Sequence, residues 1–140
     1  MDISPTEAWA VGFINQGLQS PGQVIEQWNG TQWTEYTALA FNPGDQPSLH
    51  GITAVSATDI WAAGSLLTDG GQLLKALFEH WDGTAWSKQT ARFFGFFEGV
   101  SADAANDIWA VGFATGNTTL SEHYDGTSWK LAIRPTSAPV

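Results

Sequence analysis

The chain has 140 residues, the size of one ordinary domain, and only 14% of them are charged, against about 25% in an average soluble domain. A net charge of −9 with five Lys or Arg leaves no basic patch for a phosphate backbone, so neither nucleic acid nor an anionic membrane surface is expected as a partner. Without cysteine there are no disulfides, thiolate nucleophiles or cysteine-ligated metals, while eight Trp and eight Phe demand burial. No apolar run reaches the ~18 residues of a membrane span. The opening "MDISPTEAW" has neither the basic start nor the apolar core of a signal peptide, so none is expected.

Taken in chain order, the elements repeat. "ISPTEAWAVG" (Ile3 to Gly12) is followed by "EQWNGTQW" (Glu26 to Trp33). "GITAVSATDIWAAG" (Gly51 to Gly64) is followed by "EHWDGTAW" (Glu79 to Trp86), and "GVSADAANDIWAVG" (Gly99 to Gly112) by "EHYDGTSW" (Glu122 to Trp129). The middle and last long motifs align without gaps and share eight of fourteen positions. The aromatic pairs Trp28/Trp33, Trp81/Trp86 and Tyr124/Trp129 are always five residues apart, whereas the distances between motifs vary. Constant motifs with elastic spacers mean strands joined by surface loops of changing length.

Each unit of about 43 to 53 residues predicts four strands. In the middle copy these are "GITAVSA", "IWAAGSLL", "LLKALFEHW" and "TAWSKQT". A tight turn at Thr58-Asp59 or Asn106-Asp107 joins the first two, and the Gly-rich "TDGGQ" the next two. Asp82-Gly83, with Asn29-Gly30 and Asp125-Gly126, is a hairpin signal in which both residues tolerate positive φ. Four antiparallel strands at this period indicate an all-β fold of β-propeller blades. The expected blades are 1–47, 48–96 and 97–140.

The combination "NDIWAVG…EHYDGTSW" resembles tandem-repeat propellers of bacterial, often surface or secreted, proteins. The Tyr/Trp…Trp hairpin is loosely similar to kelch repeats and to the aspartate-box turn of sialidase-type propellers. Kelch's Gly-Gly doublet is missing at Gly12, Gly64 and Gly112, and "DGTAW" is one residue short of an aspartate box. The resemblance implies a fold and no activity.

Propellers close with about four to eight blades. Three blades leave two apolar faces open, which would be sticky patches. Aligned on Trp9, Met1 falls opposite Thr53, and Val140 stops just short of where a fourth unit would begin. Head-to-tail self-association is therefore expected, with the third blade of one chain on the first of the next. A homodimer giving six blades is the first expectation and a homotrimer giving nine the alternative.

Trp9, Trp61 and Trp109 lie in second strands, and Trp33, Trp86 and Trp129 open fourth strands. Aromatic faces can stack on sugars, but recurrence in every blade favours an inter-blade core. Glu26, Glu79 and Glu122 read as buried hydrogen-bond partners rather than a ring of ligand-binding acids. His80 and His123 are replaced by Gln27 in the first copy, which argues against a metal ligand or general base. Glu7, Asp59 and Asp107 read as turn caps that also form an acidic rim, and Asp45, Asp69 and Asp103 as loop acids without metal-ligand spacing. "NGT" at Asn29 and "NTT" at Asn117 match glycosylation acceptors by chance. The ligand-binding candidates are His50, placed before an innermost strand near the central channel, and Phe93, Phe94, Phe96 and Phe97 of "FFGFF". That stretch has no counterpart elsewhere and reads as a loop between blades, with a plug or inter-blade contact as its plainer role. The corresponding "AFNPGDQPSLH" (Ala40 to His50) is polar.

No catalytic constellation emerges and no cofactor or metal is expected. GxSxG is missing, only Arg92 and Arg134 are available for a sialidase-like cluster, and galactose-oxidase chemistry lacks its cysteine. The first reading is a non-catalytic, self-assembling scaffold or recognition module with a glycan or protein ligand. A lectin-like glycan-binding propeller is the alternative, and a glycosidase ranks third.

Overall fold

The computed structural model describes residues 1–14, 22–36, 39–68, 70–89 and 93–132. Asp69, Arg92 and Arg134 lie outside them. Among the described residues, twelve strands form three antiparallel four-stranded sheets, each in simple sequential order. The first sheet holds β1 (Asp2–Ser4), β2 (Glu7–Ile14), β3 (Gly22–Trp28) and β4 (Trp33–Glu35). The second holds β5 (Gln46–Ser56), β6 (Asp59–Thr68), β7 (Leu73–Trp81) and β8 (Trp86–Gln89). The third holds β9 (Gly95–Ala104), β10 (Asp107–Ala114), β11 (Thr118–Tyr124) and β12 (Trp129–Leu131). This is the all-β arrangement of meandering blades that the repeats predict.

Side-chain alternation distributes each strand between two cores. Ile60 and Ala62 of β6, with Leu77 and Trp81 of β7, face the first sheet and meet Trp9 and Ile25. Trp61 and Ala63, with Ala76 and Phe78, face the third sheet and meet Phe97, Ile108, Ala110, Leu120 and Trp129. The middle sheet is buried on both faces, so β6 reads as a nearly continuous apolar run. The inner strands of the second and third sheets converge where a Cβ on Gly51 would lie 3.1 Å from Gly99 Cα. Nearby, the Ala102 amide donates to Thr53 Oγ1 at 3.0 Å.

Three expectations need correction. The last three residues of "FFGFF" and the "QPSLH" end of "AFNPGDQPSLH" are strand rather than inter-blade loop, while Phe93 and Phe94 precede the strand. The inner strands begin at Gln46 and Gly95 and pair along the second strands on both sides of a bulge, which leaves His50 and Glu98 without register partners. Leu49 pairs with Gly64 and Phe97 with Gly112, so Pro47 and Gly95 mark the strand starts rather than a loop.

Second, only the glycine of each hairpin turn takes positive φ, near 93° at Gly30 and Gly83 and 92° at Gly126. The residue before it caps instead. Asp82 Oδ1 accepts the amides of Thr84 and Ala85 at 2.8 and 2.9 Å, and Asn29 and Asp125 do the same in their turns. Those backbone donors hold the Asp82 carboxyl below its usual range.

Third, Asp59 and Asp107 do not cap the first turn. They are strand residues whose carboxylates support a tryptophan, as the next subsection describes.

Candidate blade-to-blade interface

One contact recurs at both internal sheet junctions. From the second strand of one sheet a tryptophan inserts between the two aromatics of the next sheet's hairpin. Trp9 lies 5.3 Å from Trp81 and 5.6 Å from Trp86, ring centre to ring centre. Trp61 lies 4.7 Å from Tyr124 and 5.5 Å from Trp129. Both inserted rings are almost fully shielded from solvent. Edge-on and tilted packing of this kind suits the ring quadrupoles and adds to plain apolar burial.

Each inserted tryptophan is held by an acid two residues earlier. The indole N–H of Trp61 donates to Asp59 Oδ1 at 3.0 Å, and that of Trp9 to Glu7 Oε1 at 3.3 Å. The same acid meets a side chain of the third strand that lies flat against the indole. His80 Nε2 is 2.7 Å from Asp59 and its ring stacks on Trp61 at 4.2 Å. In the first sheet Gln27 Nε2 donates to Glu7 at 3.2 Å and Gln27 Oε1 accepts from Tyr36 O–H at 2.9 Å. Gln can replace His here because the position asks only for a donor to the acid. The acid–His–Trp constellation was missed in the sequence, although its signal was present: an acid at i, Trp at i+2, and His or Gln beside the recurring Glu.

The third sheet carries a complete copy that inserts between no aromatics among the described residues. Trp109 donates to Asp107 at 2.9 Å, His123 Nε2 is 2.8 Å from Asp107, and the imidazole packs on the indole at 4.5 Å. Yet Trp109 is 45% exposed, and Val111 and Phe113 on the same face are equally open. Trp109 to Phe113 reads "WAVGF", residue for residue the stretch Trp9 to Phe13 with which β2 meets the second sheet.

At the opposite end, the first sheet carries a receiver into which no described residue inserts. Trp28 and Trp33 stand where Trp81 and Trp86 stand, 5.8 Å apart, and Trp33 is 48% exposed. With Ile3, Ser4, Pro5 and Ala8 they line a cavity of about 600 Å³.

The recurring glutamates are core-facing where a neighbour is present. Glu79 is inaccessible and accepts from Gln23 Nε2 of the first sheet at 2.9 Å. Burial pushes its carboxyl up to about 7, against the opposing pull of Gln23 and the Lys88 charge. Glu122 is buried at the second junction, and Glu26 is half-exposed on the open face of the first sheet.

The ligand-binding candidates scatter. Phe97 is closed off, stacked on Phe78 at 4.6 Å, and lines no surface site, whereas Phe93 is partly buried at the edge of the same core. Phe96 pairs with Phe113 at 5.6 Å, and Phe94 is half-exposed. His50 is exposed at its bulge and lies 5.8 Å from the ring of Phe13 in the first sheet. Among the described residues no group of three His, Asp or Glu side chains is placed to hold a metal ion.

No protein-family model matches the sequence, and no curated protein matches it. A fucose lectin from Kordia zhangzhouensis, solved in complex with methyl-fucoside, superposes with a TM-score of 0.62 at 16% identity, over 91% of this chain and 92% of its own. YCF48 bound to a D1 peptide gives a TM-score of 0.49 at 11% identity, over 94% of this chain and 45% of its own. The likeness to the lectin is one of fold.

Proposed function

We propose that the chain is a non-catalytic, self-assembling β-propeller module whose three-sheet units join head to tail. Trp109 of one copy enters the Trp28/Trp33 cavity of the next. The carrying observation is that one knob-and-cradle contact is made at each internal junction and its two halves stand unused at the two ends. A second copy supplies both missing halves at once, with the contact the molecule already makes internally. Such a contact is heterologous and closes by rotation. Two copies give six sheets and three give nine, and six lies in the usual range for propellers. The acid–His pairs support the non-catalytic reading. Both hold a tryptophan indole, which is a structural use of the pair.

The solution mass tests this directly. Light scattering behind a sizing column is expected to give twice the 15.1 kDa chain mass, or three times it. A well-folded monomer at high micromolar concentration would overturn the proposal.

A second reading, glycan binding, is favoured by Phe13. Its ring is 55% exposed beside His50, whose Nε2 is 3.0 Å from Ser48 Oγ, itself 2.9 Å from Ser65 Oγ. An aromatic face next to an imidazole and hydroxyls suits the apolar face and hydroxyl edge of a pyranose. The fold shared with a fucose lectin supports the same reading. Methyl-fucoside is the first probe. Saturable binding by calorimetry, weakened at least about tenfold in Phe13→Ala, is the expected result, since such a ring is a typical anchor. Silence on a broad glycan array ends this reading and leaves the assembly untouched.

A further inference from the structure

The glutamate two residues before the hairpin aromatic occupies three different settings. At the two internal junctions it is sealed: Glu79 is 0% exposed and Glu122 1%. On the open face of the first sheet Glu26 is still partly in water. We infer that head-to-tail assembly is coupled to proton uptake by Glu26, so that the chains join more tightly in mildly acid than in alkaline solution. The inference rests on the head-to-tail reading above and adds its regulation.

The argument is one of equivalence. Ile25 points into the core shared with the second sheet, so by alternation Glu26 points out of the open face beside Trp28. An arriving third sheet buries that face as the first sheet buries Glu79. Burying a carboxyl favours its neutral form, and Glu79 shows how far this goes inside the same fold.

The neighbours of Glu26 are less favourable to charge than those of Glu79. Opposite Glu79 on the adjacent strand stands Lys88, whereas opposite Glu26 stands Glu35. On its other side Glu26 pairs with Ala10. Glu79 receives a hydrogen bond from Gln23 across the junction, and the third-sheet residue at that place is the short Thr119. On β11 and β12 of the arriving sheet His123 is already engaged with Asp107 and Lys130 is already paired with Asp125, while Glu122 and Tyr124 of β11 alternate to the opposite face, where Glu122 is sealed and Tyr124 packs on Trp61. Ser121, Val111 and Phe113 complete the face and are neutral. A like-charged neighbour and lost solvent both disfavour the carboxylate.

The sign follows from proton linkage. The assembled state binds a proton that the free chain has released, so the association constant falls as pH rises from about 5 towards 8. Sedimentation equilibrium at pH 5.5 and pH 8 is expected to show a dissociation constant lower at pH 5.5 by roughly ten- to a hundredfold. Glu26→Gln is expected to assemble tightly at both values, with the dependence gone. Glu35→Lys, which recreates the Lys88 arrangement, is expected to shrink it. His123→Gln, the residue the first sheet uses there, reports on the imidazole: dependence that persists in this variant assigns the proton to Glu26, and dependence that vanishes in it overturns the assignment. Equal dissociation constants for the unaltered chain at the two pH values overturn the proton coupling and leave head-to-tail assembly standing. A monomer at every pH overturns both.

Discussion

Replacing Trp109 by alanine is expected to abolish assembly and spare the fold, whereas the same change at Trp61 is expected to unfold the chain or nearly so. The two residues hold the same place in their sheets and have the same acid and histidine supports. They differ in having a neighbour. Trp61 is 2% exposed between Tyr124 and Trp129, and its removal empties the core joining the second and third sheets. A Trp→Ala change there costs about 3–5 kcal/mol, a large part of the stability of a domain this size. Its thermal midpoint should fall by on the order of 10 °C or more.

Trp109 contributes little to its own sheet beyond its hydrogen bond to Asp107 and its packing on His123. As the central aromatic of an interface it is expected to contribute about 2–4 kcal/mol of association, roughly 30- to 1,000-fold in dissociation constant. Circular dichroism melts and sedimentation of the two variants separate these outcomes. A mixture makes the test directional. Trp109→Ala keeps its cradle and Trp33→Ala keeps its knob, so the two should associate when mixed although neither does alone. If the mixture stays monomeric while each parent pairs with itself, the contact is a two-fold one between like faces, and the head-to-tail arrangement is wrong.

The second large effect concerns the glycine that ends each "WAVG" or "WAAG". Gly64→Ala and Gly112→Ala are expected to be severely destabilising, and Gly12→Ala nearly neutral. A Cβ on Gly64 would overlap the carbonyl oxygen of Ser48 and approach Leu49 Cα to 2.9 Å; one on Gly112 would overlap the Phe96 carbonyl and reach Phe97 Cα at 2.7 Å. Backbone on the paired inner strand cannot yield without breaking the register next to the bulge. Losses of about 3 kcal/mol or more are expected, in line with backbone strain combined with overpacking. Gly12 has no described residue within 4 Å, because the three-residue β1 pairs only with Glu7 and Ala8 and does not reach it. Alanine there is expected to change stability by less than about 1 kcal/mol, with a gain open to it from the lower entropy of the unfolded chain. Urea unfolding of the three variants measures the contrast. Equal losses at all three positions would mean that the glycines serve the second strand itself rather than the approach of the inner one.

These contrasts mark what the sequence determined on its own. Repetition of the "WAVG" and "DGTxW" motifs is enough to establish four-stranded units, because a recurring aromatic pair around an Asx-Gly turn has few other uses. Alternation within "DIWAAGS" places Ile60 and Trp61 on opposite faces without any coordinates. The tertiary structure decided the rest. Phe97 looked available in an aromatic loop and is instead core, since the inner strand runs on past a bulge at Glu98 that no local propensity announces. Asp59 looked like a turn cap and is instead a bracket for Trp61, because its partner His80 is 21 residues away in the chain and adjacent only across the β6–β7 ladder. Identical pentapeptides at Trp9 and Trp109 differ in burial for the same reason. Side-chain pattern says which face is apolar, but only the packing of sheets says which apolar face has already been covered.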